Sequence, residues 1–204
     1  MSEKGKYHHG NLKAELLEKA ESVLISEGIR GLSLRTLARQ LGVSEAAPYK
    51  HFSNKEQLLE ALATEGFLRL RNHIDQAVNQ EEKRPLTERL ALGYVRFALA
   101  HPNLFRLMFG HEISHSLPSP ARREAEKGSY QPMRNAISII LAERRNSLLQ
   151  TEETALGAWS LVHGVATLMI DGKIAIPDDP ESCDNKIVAL CQSFIIGLYL
   201  SPAQ

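Results

Sequence analysis

The sequence predicts an all-α protein, and three observations support this fold class. Apolar residues recur at the three- and four-residue spacing of amphipathic helices through almost all of the 204 residues, and no segment alternates as a strand does. Polar capping residues precede the periodic segments, and glycines follow several of them. The chain is 43% hydrophobic and 24% charged, which is typical of a globular protein with one large domain, or one large and one small.

Caps and glycines place four helices in the N-terminal part of the chain. They are a first helix from Asn11 to Gly28, a second from Ser33 to Gly42, a short third from Ser44, and a fourth from the capping-box pattern Ser53–Glu56 toward Val78. The third is unusual because Pro48 falls at its fourth position, where proline removes one hydrogen bond at a frayed end. Proline also disfavours the α conformation at Ala47, so a distorted first turn is expected.

A charged stretch, Gln80–Arg84, is followed by Pro85 and marks the predicted boundary between two domains, 10–70 and 85–200. Beyond it, the periodicity predicts helices near 87–100, 102–110, 119–146, 152–172 and 181–199. Two of these helices carry proline in the first turn, Pro120 behind Ser119 and Pro180 behind Asp179. Proline is favourable there because its missing N–H has no helical partner to lose.

Composition limits which binding partners and which cellular compartment can be expected. Lys+Arg and Asp+Glu both number 24, so the net charge is zero and only a local motif can indicate a nucleic-acid partner. Cys183 and Cys191 lie roughly 12 Å apart along a helix, too far for a disulfide, which favours free thiols in a reducing cytosol. The N-terminus has no apolar signal core, and the longest apolar run, 155–170, falls short of a membrane span. We therefore expect a soluble, cytoplasmic protein.

Residues 33–52 form a helix-turn-helix pattern. Gly42 supplies the reversal, Val43 packs beneath it, and Ser44 starts the second helix of the motif. In such motifs the second helix lies in the major groove of DNA and presents its N-terminal residues to base edges. A short helix held by buried neighbours suits that purpose despite its poor helix-forming sequence. On spacing alone, helix-turn-helix geometry without DNA binding remains an alternative.

The run GIRGLSLRTLARQLGVSEAAPYKHFSNKEQLLEAL, residues 28–62, combines a polar cap, a GVS turn, a Tyr-x-His-Phe ending and Lys55 at the next helix start. In these features it resembles the TetR family of bacterial transcriptional regulators, although Pro48 stands where most members carry leucine. The resemblance implies an N-terminal three-helix DNA-binding domain followed by a larger helical ligand-binding and dimerisation domain. It also implies a ligand-responsive repressor that binds a palindromic double-stranded DNA operator as a homodimer, with no enzymatic activity and no cofactor.

Position by position, the resemblance implies a set of DNA-contacting residues. They are Ser33, Arg35, Thr36, Ser44, Glu45, Ala46, Ala47, Tyr49, Lys50, His51 and Lys55. Arg35 is expected to reach bases or phosphate. The three residues after Ser44 are expected to face base edges, where alanine offers apolar contact to thymine methyl groups. Four residues are expected to fix the register on the phosphate backbone: Tyr49, Lys50, His51 and Lys55.

Two C-terminal stretches, HPNLFRLMFG (101–110) and AWSLVHGVATLMIDGKI (158–174), resemble a subset of the family whose regulatory domain carries a Trp…His-Gly signature. The expected effector is a largely apolar small molecule with a single polar handle. Its expected pocket is bounded by Tyr94, Phe97, Phe105, Met108, Trp159 and His163. Because Trp159 and His163 lie on one helix face, a second interpretation is open, in which the histidine is buried and satisfied by a neighbouring polar group.

The resemblance also implies that the last two helices form the dimer interface. Gly157 and Gly164 lie two turns apart and would allow another helix to approach closely. The final helix has an apolar face that suits the same purpose. The expected interface set is Gly157, Gly164, Ile187, Leu190, Phe194, Gly197 and Leu198.

The segment His111-Glu112-Ile113-Ser114-His115 matches the pattern of a zinc peptidase, with two histidine ligands and a glutamate base. A zinc-dependent hydrolase or a metal sensor is therefore an alternative function. That chemistry needs one continuous helix so that both imidazoles project to the same side. Gly110 precedes the segment and Pro118 follows it closely, so no stable helix and no resident metal are expected here.

Overall fold

The computed structural model describes residues 11–111, 113, 118–143 and 150–200, apart from the side chains of 193, 195 and 198–200. Within these residues the chain forms eight α-helices, one short 3-10 turn and no strand, which confirms the all-α prediction. In chain order the elements are α1 (Leu12–Gly31), α2 (Leu34–Gln40), the 3-10 turn (Pro48–Lys50), α3 (Lys55–Gln80), α4 (Leu86–Ala100), α5 (Pro102–Phe109), α6 (Pro120–Glu143), α7 (Thr151–Ile170) and α8 (Pro180–Leu200). None of these described helices is long and apolar enough to cross a membrane.

Three predicted helix starts coincide with a side-chain cap. Ser33 Oγ accepts a hydrogen bond from the backbone N–H of Thr36 at 3.0 Å and opens α2. Ser119 and Asp179 do the same before α6 and α8, each accepting from the N–H three residues later, at 3.1 and 2.8 Å. These caps satisfy donors that a helix start otherwise leaves without a partner.

Two helix ends differ from the prediction. α1 is interrupted at Gly28 (φ 69°, ψ −174°), the predicted stop, but then continues for a further short stretch. At the start of α3, Asn54 Oδ1 accepts from the N–H of Gln57 at 2.9 Å, while Gln57 Oε1 accepts from the N–H of Ser53 at 2.8 Å. The capping box is therefore displaced by one residue from the predicted pattern Ser53–Glu56.

The described residues separate into two compact units, the first within Met1–Gly66 and Asn103–Arg122, the second within Phe67–Pro102 and Arg123–Gln204. The core of the first unit is built on leucines from α1, α2 and the first half of α3. Leu16, Leu24, Leu37, Leu58 and Leu62 are each no more than 2% exposed. The predicted domains, 10–70 and 85–200, are defined by function rather than by packing and stay a prediction.

The second unit is organised around α4, which packs against both α7 and α8. The second half of α3, from Phe67 onward, is part of this unit and contacts both α4 and α6. At Gly93 of α4 the helices approach so closely that a Cβ would lie 2.9 Å from the Cα of Ile74. In α6, Pro132 has no N–H to offer the carbonyl of Gly128, and Arg71 of α3 donates to that carbonyl at 2.7 Å instead. The second half of α3 is therefore held by both α4 and α6.

Candidate nucleic-acid interface

α2 ends in a glycine turn that redirects the chain. Leu34, Leu37 and Ala38 bury one face of this helix. Gly42 then adopts φ 68°, a conformation that glycine reaches without the strain a Cβ would add. The N–H of Val43 donates to the carbonyl of Ala38 at 3.0 Å and closes the helix end. The predicted reversal at Gly42 is present.

The segment 44–51, named the display segment here, is a turn that leads into the 3-10 turn, and not the predicted short α-helix. Pro48 is the first residue of the 3-10 turn rather than the fourth of an α-helix. Ala47 is in the α conformation (φ −62°, ψ −43°) despite the proline that follows it. The reason is packing: Pro48 is buried, its carbonyl accepts from the N–H of Phe52 at 3.0 Å, and Phe52 itself is only 3% exposed.

Above this buried support, the display segment presents its other side chains to solvent. The exposed residues are Ser44, Glu45, Ala46, Tyr49, Lys50 and His51, while Ala47 is half-buried. Tyr49 keeps 47% of its surface exposed, a large fraction for an aromatic residue with a core nearby. Buried residues therefore fix the display segment to the core, and its exposed side chains are available to contact a partner.

Arg35 of α2 lies beside the display segment. Its Nε is 3.9 Å from Glu45 Oε2, and the two side chains are 71% and 60% exposed. An ion pair this exposed is held only weakly because water screens both charges. Arg35 and Glu45 can therefore separate and bind a nucleic acid instead, at little cost in free energy.

Three of the predicted contact residues already have structural partners. Ser33 caps α2, and its hydroxyl also donates to Thr36 Oγ1 at 2.8 Å. Lys55 Nζ donates to the carbonyl of Ile29 at 2.6 Å and so fastens the start of α3 to the end of α1. An ammonium group has three donors, so this bond leaves Lys55 able to bind a phosphate as well.

Four of the six predicted effector residues lie in the second unit and two in the first, and the predicted pocket stays a prediction. Tyr94, Trp159 and His163 meet in the second unit, where Trp159 Nε1 donates to Tyr94 Oη at 3.2 Å and this oxygen lies 2.9 Å from His163 Nδ1. Burial lowers the pKa of His163 and raises that of Tyr94, so both groups are neutral near pH 7. This arrangement matches the second interpretation, in which a neighbouring polar group satisfies the histidine.

The remaining effector residues have other neighbours. Phe97 of α4 lies against the rings of His73 and His101, at centroid distances of 5.4 and 5.0 Å. Phe105 and Met108 belong to the first unit. There Met108 packs over Gly66, where a Cβ would lie 2.6 Å from its Sδ, and Phe105 lies 4.9 Å from the ring of Phe109.

The predicted dimer residues divide into buried and open positions. Ile187 is 0% exposed within the chain, so its side chain belongs to the core and offers no surface to a partner. Phe194 packs over Gly157 of its own chain. Gly164 and Gly197 have open space where a Cβ would point, and Leu190 is 37% exposed. The side chain of Leu198 lies outside the described residues.

Sequence reasoning missed an ion pair that holds the first unit together. Arg122 Nη1 donates to Glu60 Oε1 at 2.6 Å, and the N–H of Ser119 donates to Glu60 Oε2 at 3.1 Å. Arg122 Nη2 also donates to the carbonyl of Met108 at 3.2 Å. The partners are 62 residues apart along the chain, and no local pattern indicates such a pairing.

The zinc-peptidase match does not lie on a continuous helix. α5 ends at Phe109, so His111 already stands beyond it, exposed to solvent. Ile113 is buried at 6% exposure, while Glu112, Ser114 and His115 lie outside the described residues. Within the described part of the chain, no three potential ligands are grouped around a possible metal position.

These features define a class: an all-α protein whose helix-turn-helix segment is exposed, the architecture of DNA-binding regulators. Comparison with known families gives a more specific assignment. Residues 16–62 match "Bacterial regulatory proteins, tetR family", and residues 87–190 match "Tetracyclin repressor-like, C-terminal domain". The chain therefore belongs to the tetR family and is a DNA-binding transcriptional regulator. These matches do not support the zinc hydrolase, and the Trp…His-Gly subset stays a prediction.

The chain is also similar to individual proteins and structures. Nucleoid occlusion factor SlmA of Vibrio vulnificus (strain YJ016) is 30% identical over 137 residues, 66% of this chain and 69% of that protein. A structure of a protein with unknown function from Rhodococcus sp. RHA1 is 36% identical, with a TM-score of 0.80 over 95% of this chain and 98% of that one. The TetR family transcriptional regulator PfmR from Thermus thermophilus shares the fold, with a TM-score of 0.64 at 18% identity over 89% and 97% of the two chains.

Proposed function

We propose that the protein is a cytoplasmic, ligand-responsive repressor without enzymatic activity, which binds a palindromic operator as a homodimer. The single observation that carries this proposal is the display segment, with Pro48 and Phe52 buried beneath it and a row of polar and small side chains exposed above. One such segment covers few bases, so two copies related by a two-fold axis are needed to read an operator.

Within the display segment and the adjoining α2 we assign two roles. Arg35 and Glu45 set the sequence preference because their charged groups are solvated and can reach hydrogen-bonding base edges. Tyr49 and Lys50 hold the phosphate backbone, which positions the protein without reading sequence. Ser33 and Thr36 act through the cap of α2 rather than by direct contact.

The test is selection of bound genomic fragments, followed by affinity measurements with variants. Lys50→Ala should weaken binding to every fragment and lower the slope of log affinity against log salt by about one. Glu45→Ala should instead change which fragments are selected. Lys127→Ala on α6 also removes an exposed lysine and serves as the matched control, with an unchanged slope. A changed preference in Lys50→Ala with an unchanged slope would reverse the two roles.

For the dimer we propose an interface on α7 and α8. Gly164 and Leu168 of α7 are four residues apart and share one helix face, and Leu156, eight residues before Gly164, lies toward the edge of that face. Leu156 and Leu168 are 43% and 45% exposed, and Ile196 of α8 is 44% exposed. Leu190 and Gly197 of α8 are seven residues apart, about two turns, and therefore lie on the same side of that helix. An exposed apolar surface of this kind, with glycines that allow close approach, suits a second copy of the same helices.

A second candidate function is a role in nucleoid occlusion, favoured by the match to the Vibrio protein of that name. Selection of bound genomic fragments also distinguishes a repressor from a nucleoid occlusion factor. A repressor should select a few sites, each beside a gene start, whereas an occlusion factor should select many sites spread over the chromosome.

A further inference from the structure

The second unit contains a small cavity of about 30 Å³, partly open to solvent, where four helices meet. Five aliphatic side chains from α4, α6 and α7 form most of its wall. The other lining residues are Thr87 of α4, Met133 of α6, and Cys191 and Phe194 of α8. Tyr94, Trp159 and His163 do not line it. The cavity is therefore separate from the hydrogen-bonded cluster that sequence analysis assigned to an effector.

Thr87 is the polar group of this wall that lacks a partner. Its residue is only 9% exposed, and its Oγ1 is buried with no hydrogen-bond partner among the described residues. Buried hydroxyl groups are almost always paired, because leaving one unpaired forfeits its bonds to water. A molecule in the cavity could supply the missing partner.

The rest of the wall is neutral. None of the lining residues is charged, and burial raises the pKa of the Cys191 thiol to about 11, which keeps it protonated near pH 7. An ionised ligand would be left without a counter-charge in this apolar setting. The cavity therefore selects against charged molecules.

Two lining side chains can enlarge the cavity. Met133 and Phe194 are half-buried, and both lie at the edge of the buried cluster formed by Ile137, Leu141 and Ala158 with Ala155. Methionine is flexible and adapts to irregular space. Rotation of Met133 toward solvent, with Phe194 adjusting within its packing, would widen the cavity and make room for a ring or a short chain.

We propose that this cavity is the effector site, and that it takes a neutral, largely apolar molecule whose one hydroxyl or carbonyl group bonds to Thr87 Oγ1. The inference rests on the ligand response proposed above and specifies its site and chemistry. A bound molecule would press on the first turn of α4, where Thr87 lies.

The structure connects that turn to α3. The Arg89 side chain, on the same first turns of α4, donates to the carbonyl of Val78 near the end of α3. Farther along, the contact of Gly93 with Ile74 leaves no space for α4 to shift independently of α3. α3 begins at Lys55, whose ammonium group donates to the carbonyl of Ile29 in α1. A movement of α4 would therefore also move α3, the helix that follows the display segment.

The test uses two probes of the same ring size, benzyl alcohol and toluene, titrated onto the DNA-free protein by ligand-observed NMR. Thr87→Val keeps the side-chain shape and removes the hydroxyl. It should weaken benzyl alcohol binding about tenfold and leave toluene within about twofold. Ala91→Leu fills the cavity and should abolish binding of both probes. Since Ala91→Leu can overpack the core, Ala91→Val provides a smaller filling, and thermal unfolding checks that each variant is folded.

His163→Gln is the matched control at the other cluster and should leave both affinities unchanged. The proposal is overturned if neither probe binds the wild type, if Thr87→Val weakens both probes equally, or if His163→Gln alone abolishes binding. Operator binding is measured separately without a probe. A protein that binds the operator but not the probes contradicts the cavity assignment alone, whereas loss of operator binding contradicts the proposed function.

Discussion

At the scale of single residues, Glu60 accepts the hydrogen bonds that join distant segments of the first unit. It accepts from Arg122 and from the N–H of Ser119, with the two charged side chains 16% and 14% exposed. Burial alone would raise the pKa of Glu60, but the hydrogen bonds from Arg122 and Ser119 outweigh it and hold that pKa below its ordinary value of 4.5. The carboxylate therefore stabilises the fold in its ionised form.

Glu60→Ala should lower the free energy of unfolding at pH 7 by roughly 2–3 kcal/mol. The loss is less than for a fully buried pair, because both partners keep some contact with water. Because the folded pKa is depressed, the contribution is complete above pH 4.5 and is lost as the pH falls through the folded value. Urea denaturation at several pH values should therefore show a smaller loss of stability in acid for the variant than for the wild type.

Glu18→Ala is the control, since Glu18 is an exposed carboxylate of α1 in the same unit. It should change stability by less than about 0.5 kcal/mol at every pH. If both variants behave alike, the Glu60–Arg122 pair contributes nothing beyond an ordinary surface charge.

At the scale of elements, the end of α2 depends on the backbone of Gly42. Nothing lies within 4 Å of a Cβ built there, so the cost of a side chain comes from φ 68° alone. Gly42→Ala should therefore destabilise the protein by about 1–2 kcal/mol. Gly128→Ala has equal space in the helical α6 and should stabilise it by about 0.5–1 kcal/mol. Equal effects in urea denaturation would show that the positive φ is not what requires glycine at Gly42.

The elements also show where prediction from sequence succeeds and fails. Caps are local, so Ser33, Ser119 and Asp179 could be assigned from their neighbours along the chain. The conformation of the display segment could not be predicted in this way. Burial of Pro48 and Phe52 determines it and overrides the preference of Ala47, the residue before proline, against the α conformation. The partners of Glu60 and the cavity beside Thr87 arise from residues far apart in sequence, and no periodicity or motif indicates them.

At the scale of the whole molecule, the proposed assembly depends on the apolar face of α7 and α8. Leu168→Glu places a charge in the middle of that face and should convert the dimer to a monomer in sedimentation at micromolar concentration. Operator affinity should fall with it, because two half-sites can no longer be read together. Ile139→Glu alters a residue of α6 that is 51% exposed and should remain dimeric. A dimeric, fully active Leu168→Glu protein would place the interface elsewhere.

The most direct test of the regulator assignment is the ratio of two affinities. Fluorescence anisotropy at about 150 mM salt compares a fragment selected from the genome with a shuffled duplex of the same composition. The wild type should bind the selected fragment at least about a thousandfold more tightly. Ala46→Glu, which turns an exposed small residue of the display segment into a negative charge, should abolish this preference while the protein stays folded. Equal affinity of the wild type for both duplexes would rule out sequence-specific regulation by this protein.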